Sequence, residues 1–464
     1  MIRRRAGMLL AGLLAGCTLN TADVPRKAAV TPPEGWRTPA TTSAAPIAAD
    51  WWRGYGDPAM TALIERALAG NPDVAIALAR VREAEANGRA ASAQLLPTLN
   101  AAVGGAYSRT LGAFGTANDA GQVQPQLQAA WQADLFGRLD DLAGAARAQY
   151  LASAAAHDAA ALSVAGATAS GYIALRALDA RLIVARETLT ARAEALRLAQ
   201  SRADAGYTSQ LELNQARSEY AATAQIIPQV ERAIAIQENA LSRLVGDNPR
   251  AIERGATLAA LVVPPVPQGL PSTLLRRRPD IAQAELTLVA ADRSLSAARK
   301  AFLPTVQLTG SAGALAVSRL DPVTVFSIGG SILAPLFDAG RAQAGADAAA
   351  ARRDQAAFAY RAAALTAFQE VENALVRLDR IGAEQAQVRA QRDALAEALR
   401  HATNRYNAGY SGYLDQLDAQ RGLLAAELAL VQIEADRLSA SVALYQAMGG
   451  GWDPAALPAD RWSL

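Results

Sequence analysis

The sequence predicts a mainly α-helical chain with membrane β-strands, internally repeated, with four strands and very long helices per chain. Three observations predict it. First, landmarks recur in order. Asn71-Pro72-Asp73-Val74 is answered by Arg278-Pro279-Asp280-Ile281, Leu96-Pro97-Thr98 by Leu303-Pro304-Thr305, Leu135-Phe136 by Leu336-Phe337, and Ala205-Gly206-Tyr207 by Ala408-Gly409-Tyr410. A shared alanine bias does not reproduce such landmarks in order. Second, each half holds two runs in which apolar and polar residues alternate, the period of a strand with one greasy face. Third, long Ala/Leu-rich stretches carry apolar residues at three- and four-residue steps, the seam of packed helices.

The N-terminus comes first. Arg3, Arg4 and Arg5 precede a short apolar run, Ala6 to Gly16, too short to span a bilayer. Residues 1–16 read as a signal peptide of the lipoprotein type. Leu14-Ala15-Gly16-Cys17 resembles a bacterial lipobox, which makes Cys17 the lipidation site. An ordinary signal peptide with a chance cysteine is the blander alternative. Cys17 is the only cysteine of 464 residues, so no intrachain disulfide or cysteine metal cluster is expected. Thr18 follows where an aspartate would retain the protein in the inner membrane, which favours the outer one. Residues 17–50 form the anchor and a Pro/Thr/Ala-rich linker.

The first repeat covers 51–250: a helix from about Ala59 to Leu96 interrupted near Pro72, strands at about 99–110 and 122–135, then a long helical hairpin turning near Gly206. In the strands Leu99, Ala101, Val103 and Tyr107 alternate with Asn100, Gly104 and Ser108, and Val123, Leu127, Ala129 and Trp131 with Gln124, Gln126, Gln128 and Gln132. Pro125 is expected to mark a strand end or bulge, and Gly112 to Gly121 a loop. Leu182, Ala185, Leu189, Ala193 and Leu196 form the predicted seam of the outgoing helix. Pro228 is expected to kink the returning one. A Pro-rich connection, 251–271, leads to the second repeat, 272–450, with strands at about 305–317 and 323–334 and a hairpin turning near Gly409. Residues 451–464 are a tail.

Composition narrows the function. Hydrophobic residues make up 51% and charged residues 19%, below the roughly 25% charged of ordinary soluble domains. A net charge of +2 with no basic stripe argues against nucleic acid. No stretch after the signal gives 18 uncharged apolar residues, so a membrane helix is not expected and any span is β. Four strands cannot close a barrel, which needs about eight, and open edges are not tolerated in lipid. Two copies would supply eight strands and three copies twelve. Gln, Ser and Thr would then line a wet lumen, while Tyr107, Trp131 and Phe326 meet lipid or its interface. Two lone histidines, His157 and His401, and the lack of Ser-His-Asp, HExxH or CxxC patterns supply little for catalysis. No enzyme activity, cofactor or metal is expected.

Further motifs identify a family resemblance: WWRGYGDPAMTALIERAL (51–68), WQADLFGRLD (131–140), GLPSTLLRRRPDIAQAE (269–285), FLPTVQLTG (302–310), APLFDAGR (334–341), FQEVENAL (368–375) and GYSGYLDQLDAQR (409–421). The chain resembles the TolC-like outer-membrane factors, in particular the NodT-type lipoproteins of RND-type tripartite efflux. The resemblance spans nearly everything after Cys17. It implies a homotrimer whose 12-stranded β-barrel in the outer membrane continues into a periplasmic α-helical barrel. It implies a periplasmic adaptor (membrane fusion protein) and an inner-membrane pump as partners, with passive conduction of small molecules such as drugs, toxic compounds or metal ions. It also implies a periplasmic gate at Asp415, Asp418, Tyr406 and Glu212, beside the turns at Gly206 and Gly409. Ser411 departs from the pattern, standing where some members place a gate arginine.

Asp415 and Asp418 sit i, i+3 on one helical face. Such residues are also what any solvated helix face carries, and plain packing accounts as well for a seam tyrosine such as Tyr406. A threefold axis changes the weighting, because two acids per chain become two rings of three, a cation-attracting constriction. The competing reading is a periplasmic coiled-coil lipoprotein that never spans the membrane.

Overall fold

The sheet shows most directly how residue pattern becomes structure. In the computed structural model, which describes residues 25–38, 47–111, 113–115, 117–265, 271–318 and 321–458, four antiparallel strands run in sequence order: β1 (Thr98–Leu111), β2 (Ala117–Ala133), β3 (Thr305–Val317) and β4 (Val323–Leu333). The signal segment 1–16, Cys17 and tail residues 459–464 lie outside the described residues. The register sorts side chains by parity. Asn100 pairs with Gln128, Gln128 with Ser311 and Ser311 with Ser327, so one face carries Asn, Gln, Ser and Thr. The other carries Leu99, Val103, Tyr107, Phe326, Ile328 and Ile332, all largely exposed, with Ile328 at 92% and Phe326 at 79%. Arg109 and Asp119, an ion pair at 3.5 Å, are the charged residues of the described strands.

Two expectations are corrected here. Pro125 is neither a strand end nor a bulge. It lies inside β2, opposite Val103 of β1, and the β2–β3 pairing simply skips it, resuming in register at Gln126–Gly313. Proline has no N–H to give a second neighbour. Gly313 faces it because a side chain there would lie 2.2 Å from the Pro125 carbonyl oxygen. The expected loop is also shorter, since residues 117–121 pair with Tyr107–Leu111. The turn-forming composition of that stretch hid a hairpin that ladder hydrogen bonds extend.

Three helices of each half repeat residue for residue in length, while the first differs, 13 residues against 7. Before the strands of each half lies a 22-residue helix, α2 (Pro72–Ala93) after α1 (Pro58–Gly70), and α6 (Pro279–Lys300) after α5 (Pro271–Arg277). After the strands come 67-residue helices, α3 (Arg138–Asp204) and α7 (Arg341–Asn407). The 35-residue return helices are α4 (Gln210–Leu244) and α8 (Tyr413–Ala447). Helix α4 continues through Pro228. Each return helix is anchored by the residue before a Pro-Asp pair: Asn71 Nδ2 donates to the Leu244 carbonyl at 2.8 Å, and Arg278 Nη1 to the Ala447 carbonyl at 2.9 Å. Both carbonyls are last-turn groups that a helix cannot satisfy itself.

Contacts divide the chain into two units, one holding Arg80–Ser153 and Gln283–Ala362, the other Thr31–Ala79, Ala154–Ala282 and Ala363–Leu464. The second has the larger core, with Tyr55, Met60, Ile64, Tyr172, Leu241 and Val442 inaccessible to solvent. A buried carboxylate at its centre is fully used. Asp57 caps α1 through the Ala59 and Met60 amides and accepts the Tyr172 hydroxyl at 2.8 Å. By length and composition, a window of α3 is apolar enough to cross a membrane, contrary to expectation, but 56% of it is buried in the fold, as in a core helix.

Candidate functional site

Both hairpins turn on the same device. The outgoing helix ends in a glycine with positive φ, Gly206 at 75° and Gly409 at 77°. The following tyrosine amide bonds five residues back: Tyr207 to the Arg202 carbonyl at 2.8 Å and Tyr410 to the Arg405 carbonyl at 2.9 Å. These are Schellman closures, and they require a left-handed residue that glycine adopts without a Cβ clash.

Past the turns the hairpins diverge. At the start of α4, Ser209 caps the helix by accepting the Glu212 amide at 3.3 Å, and the Thr208 hydroxyl donates to the Glu212 carboxylate at 2.5 Å. At the start of α8, Gly412 offers no side-chain cap, and the Ser411 hydroxyl is buried without a hydrogen-bond partner among the described residues.

Tyr406 and Glu212 are brought together: the phenol donates to the Glu212 carboxylate. The Arg202 guanidinium lies 4.7 Å from the centre of the Tyr406 ring, and the Tyr413 ring lies 5.6 Å away. Leu213, Ala216 and Leu417 close a small core around these rings. Burial and the Glu212 carboxylate push the Tyr406 phenol up to about 12, because both disfavour the phenolate. Asp415 and Asp418 are placed differently. Both are exposed, on the first turns of α8, and neither makes a hydrogen bond or ion pair among the described residues.

An unforeseen cluster lies beside them. Glu219 of α4, buried, accepts from Arg192 of α3 at 2.5 Å and from Arg421 Nε of α8 at 2.8 Å, with a second bond from Arg421 Nη2. This corrects the predicted seam of α3. Ala193 is exposed, and the buried positions step by sevens through Ala185, Arg192 and Ala199. Counting apolar residues alone passes over an arginine that is buried because it has a carboxylate waiting. One signal was available: Glu219 stands a heptad beyond Glu212.

Comparison with known proteins agrees with this architecture. The family model for outer membrane efflux proteins matches residues 63–247 and 270–450. The pyoverdine export outer membrane protein OpmQ of Pseudomonas aeruginosa is 33% identical over 97% of this chain and 98% of its own length. The toluene efflux pump outer membrane protein TtgI of Pseudomonas putida is 34% identical over 86% of each chain. Among solved structures, the outer-membrane channel OprN superposes with a TM-score of 0.86 at 26% identity, over 94% of this chain and all of that one. The open state of the Neisseria gonorrhoeae outer membrane channel MtrE superposes with a TM-score of 0.81 at 30% identity, over 93% and 99%. With both halves of its repeat covered by the family model, the chain belongs to the outer membrane efflux protein family.

Proposed function

We propose that the chain is the passive outer-membrane duct of a tripartite efflux system, working as a homotrimer. The observation that carries this reading is the sheet. It has one exposed face that is apolar apart from the Arg109–Asp119 ion pair near the β1–β2 turn, one uncharged polar face, and outer strands β1 and β4 with a free edge each among the described residues. An apolar face needs lipid, and free edges in lipid need partners. Three copies supply twelve strands, closing β4 of one chain on β1 of the next, with Gln, Ser and Thr lining the lumen. A coiled-coil lipoprotein has no use for such a sheet.

The helical hairpins belong to the periplasm. Their partners are a periplasmic adaptor and, through it, an inner-membrane pump, of the RND type in this reading. Cys17 carries the lipid anchor. The cargo is small molecules. Relatives named for pyoverdine export and toluene efflux support organic compounds, and the chain itself does no chemistry.

The gate is assigned to the hairpin ends. Asp415 and Asp418 are exposed and make no hydrogen bond or ion pair among the described residues, with Arg421 the cationic neighbour of Asp418, so three copies would present two rings of exposed carboxylates. Tyr406 and Glu212 link the two hairpins behind them. Single-channel recording of the purified full-length protein tests this assignment. Asp415→Ala/Asp418→Ala is expected to weaken cation selectivity and block by multivalent cations. Conduction and block indistinguishable from wild type would overturn it.

A further inference from the structure

Arg109 of β1 and Asp119 of β2 face each other across the first strand hairpin, Nε 3.5 Å from Oδ1. Register parity puts both on the apolar face, in line with Tyr107 and Val123 rather than with the Asn and Gln of the other face. Their height on that face follows from the strands. β2 leads toward α3, so Trp131 marks the helix end of the sheet, where its indole N–H donates to the Leu95 carbonyl at 2.9 Å. Tyr107 pairs with Gly121, near the opposite end of β2. From Gly121 to Trp131 is about ten residues, which at about 3.4 Å each and a strand tilt of about 40° sets the two rings roughly 26 Å apart. The apolar band of a membrane barrel is about 25 Å tall and is bordered by aromatic girdles. Trp131 and Tyr107 stand at its two borders. Arg109 and Asp119, one outward-facing step beyond Tyr107, stand at the level of the headgroups on the side away from the helices.

Below the pair the apolar face is hollow. Gly105 and Gly121 floor a shallow depression of about 560 Å³, bordered by Tyr107, Val123 and Ala316. A Cβ on Gly121 would point between the Ser318 hydroxyl and the Tyr107 ring, 2.8 and 3.7 Å away, so the absent side chain leaves the floor open. A guanidinium above an apolar hollow suits one kind of ligand. The hollow takes an acyl chain, and the guanidinium takes a phosphate through paired N–H donors. The Arg109 side chain is 67% exposed, and its contact with Asp119 is long for a hydrogen bond, so donors remain for a ligand. Asp119 keeps the pair neutral when no lipid is bound, which limits the cost of a charge at the edge of the apolar band.

We infer that this end of the β1–β2 hairpin binds a phosphate-bearing lipid of the outer leaflet, its phosphate on Arg109 and an acyl chain in the hollow over Gly105 and Gly121. The inference rests on the reading of the sheet as part of a membrane barrel.

Native mass spectrometry titrations of the purified full-length protein in neutral detergent test it, with phosphatidic acid, diacylglycerol of the same chains and inorganic phosphate as probes. Wild type is expected to bind phosphatidic acid roughly tenfold or more tightly than diacylglycerol, the effect of a charge-assisted hydrogen bond, and inorganic phosphate far more weakly than either. Arg109→Gln is expected to erase the preference for phosphatidic acid and leave diacylglycerol unchanged. Asp119→Asn is expected to tighten phosphatidic acid by removing a competing carboxylate. Gly105→Leu, whose Cβ would come no closer than 3.4 Å to a neighbour, fills the hollow and is expected to weaken both lipids alike. Inorganic phosphate bound as tightly as phosphatidic acid overturns the lipid, and wild-type binding of both lipids by Gly105→Leu overturns the place of the acyl chain. If wild type and Arg109→Gln both form channels in planar bilayers yet bind phosphatidic acid equally, this inference alone has failed. If neither forms channels, the barrel reading has failed and the inference with it.

Discussion

The hairpin that turns at Gly206 and the one that turns at Gly409 share helix lengths, turn geometry and a landmark tripeptide, yet they spend their acids in opposite ways. In the first, Glu212 and Glu219 face inward and each accepts hydrogen bonds from the second hairpin. In the second, Asp415 and Asp418 face solvent and accept no hydrogen bond among the described residues. A duplicated backbone thus supports a division of labour. One copy supplies anchors and the other supplies free charge. A carboxylate held by two arginines no longer offers its full charge to a passing cation, so the same residue cannot serve both purposes.

The largest test of this division compares the two kinds of acid. Glu219→Gln strands a buried Arg192 and is expected to cost about 3 kcal/mol or more. Asp418→Asn breaks no hydrogen bond or ion pair among the described residues and removes only an exposed charge near Arg421, so it is expected to stay within about 0.5 kcal/mol. Thermal melting of the purified full-length protein followed by circular dichroism distinguishes them, and equal losses would break the comparison.

A smaller effect is expected at Tyr406. Tyr406→Phe leaves one Glu212 oxygen without its donor, at about 1–3 kcal/mol. The pH dependence has a definite sign. Burial, then Glu212, raises the phenol from 10.0 to about 12. The unfolded phenol ionises first, so the stability that this group contributes is whole below pH 10 and is lost as pH climbs toward 12. Tyr406→Phe lacks that contribution, so its deficit is largest below pH 10 and shrinks above it. A deficit that grows with pH would mean that the phenol is not protected as described.

The smallest effect sharpens the contrast at the helix starts. Ser209→Ala removes a cap and is expected to cost about 1 kcal/mol. Ser411→Ala removes a buried hydroxyl that has no partner among the described residues and is expected to be neutral or slightly stabilising. Equal melting shifts for the two variants would show that the second hairpin start is satisfied in a way that the single chain does not display.

What the sequence determined by itself was everything carried by local pattern. Alternation from Leu99 to Tyr107 set the two faces of β1, three- and four-residue steps set the helices, and glycine at 206 and 409 set the turns. Ordered landmarks such as Asn71-Pro72 and Arg278-Pro279 exposed the repeat. These signals are short-range and depend on residue type alone. The tertiary structure decided what depends on register between distant segments. Pro125 sits inside a strand because only its β3 side needed the missing N–H, and a single chain position does not reveal which neighbour will ask for it. Arg192 is buried because Glu219, 27 residues away, meets it, and Arg421, 202 residues beyond Glu219, meets the same carboxylate. Two Asp on α8 look no different in sequence from two Glu on α4. Only the packing of α8 against α4 determines which acids are neutralised and which remain free, because an ion pair is a property of distance between helices rather than of spacing along one.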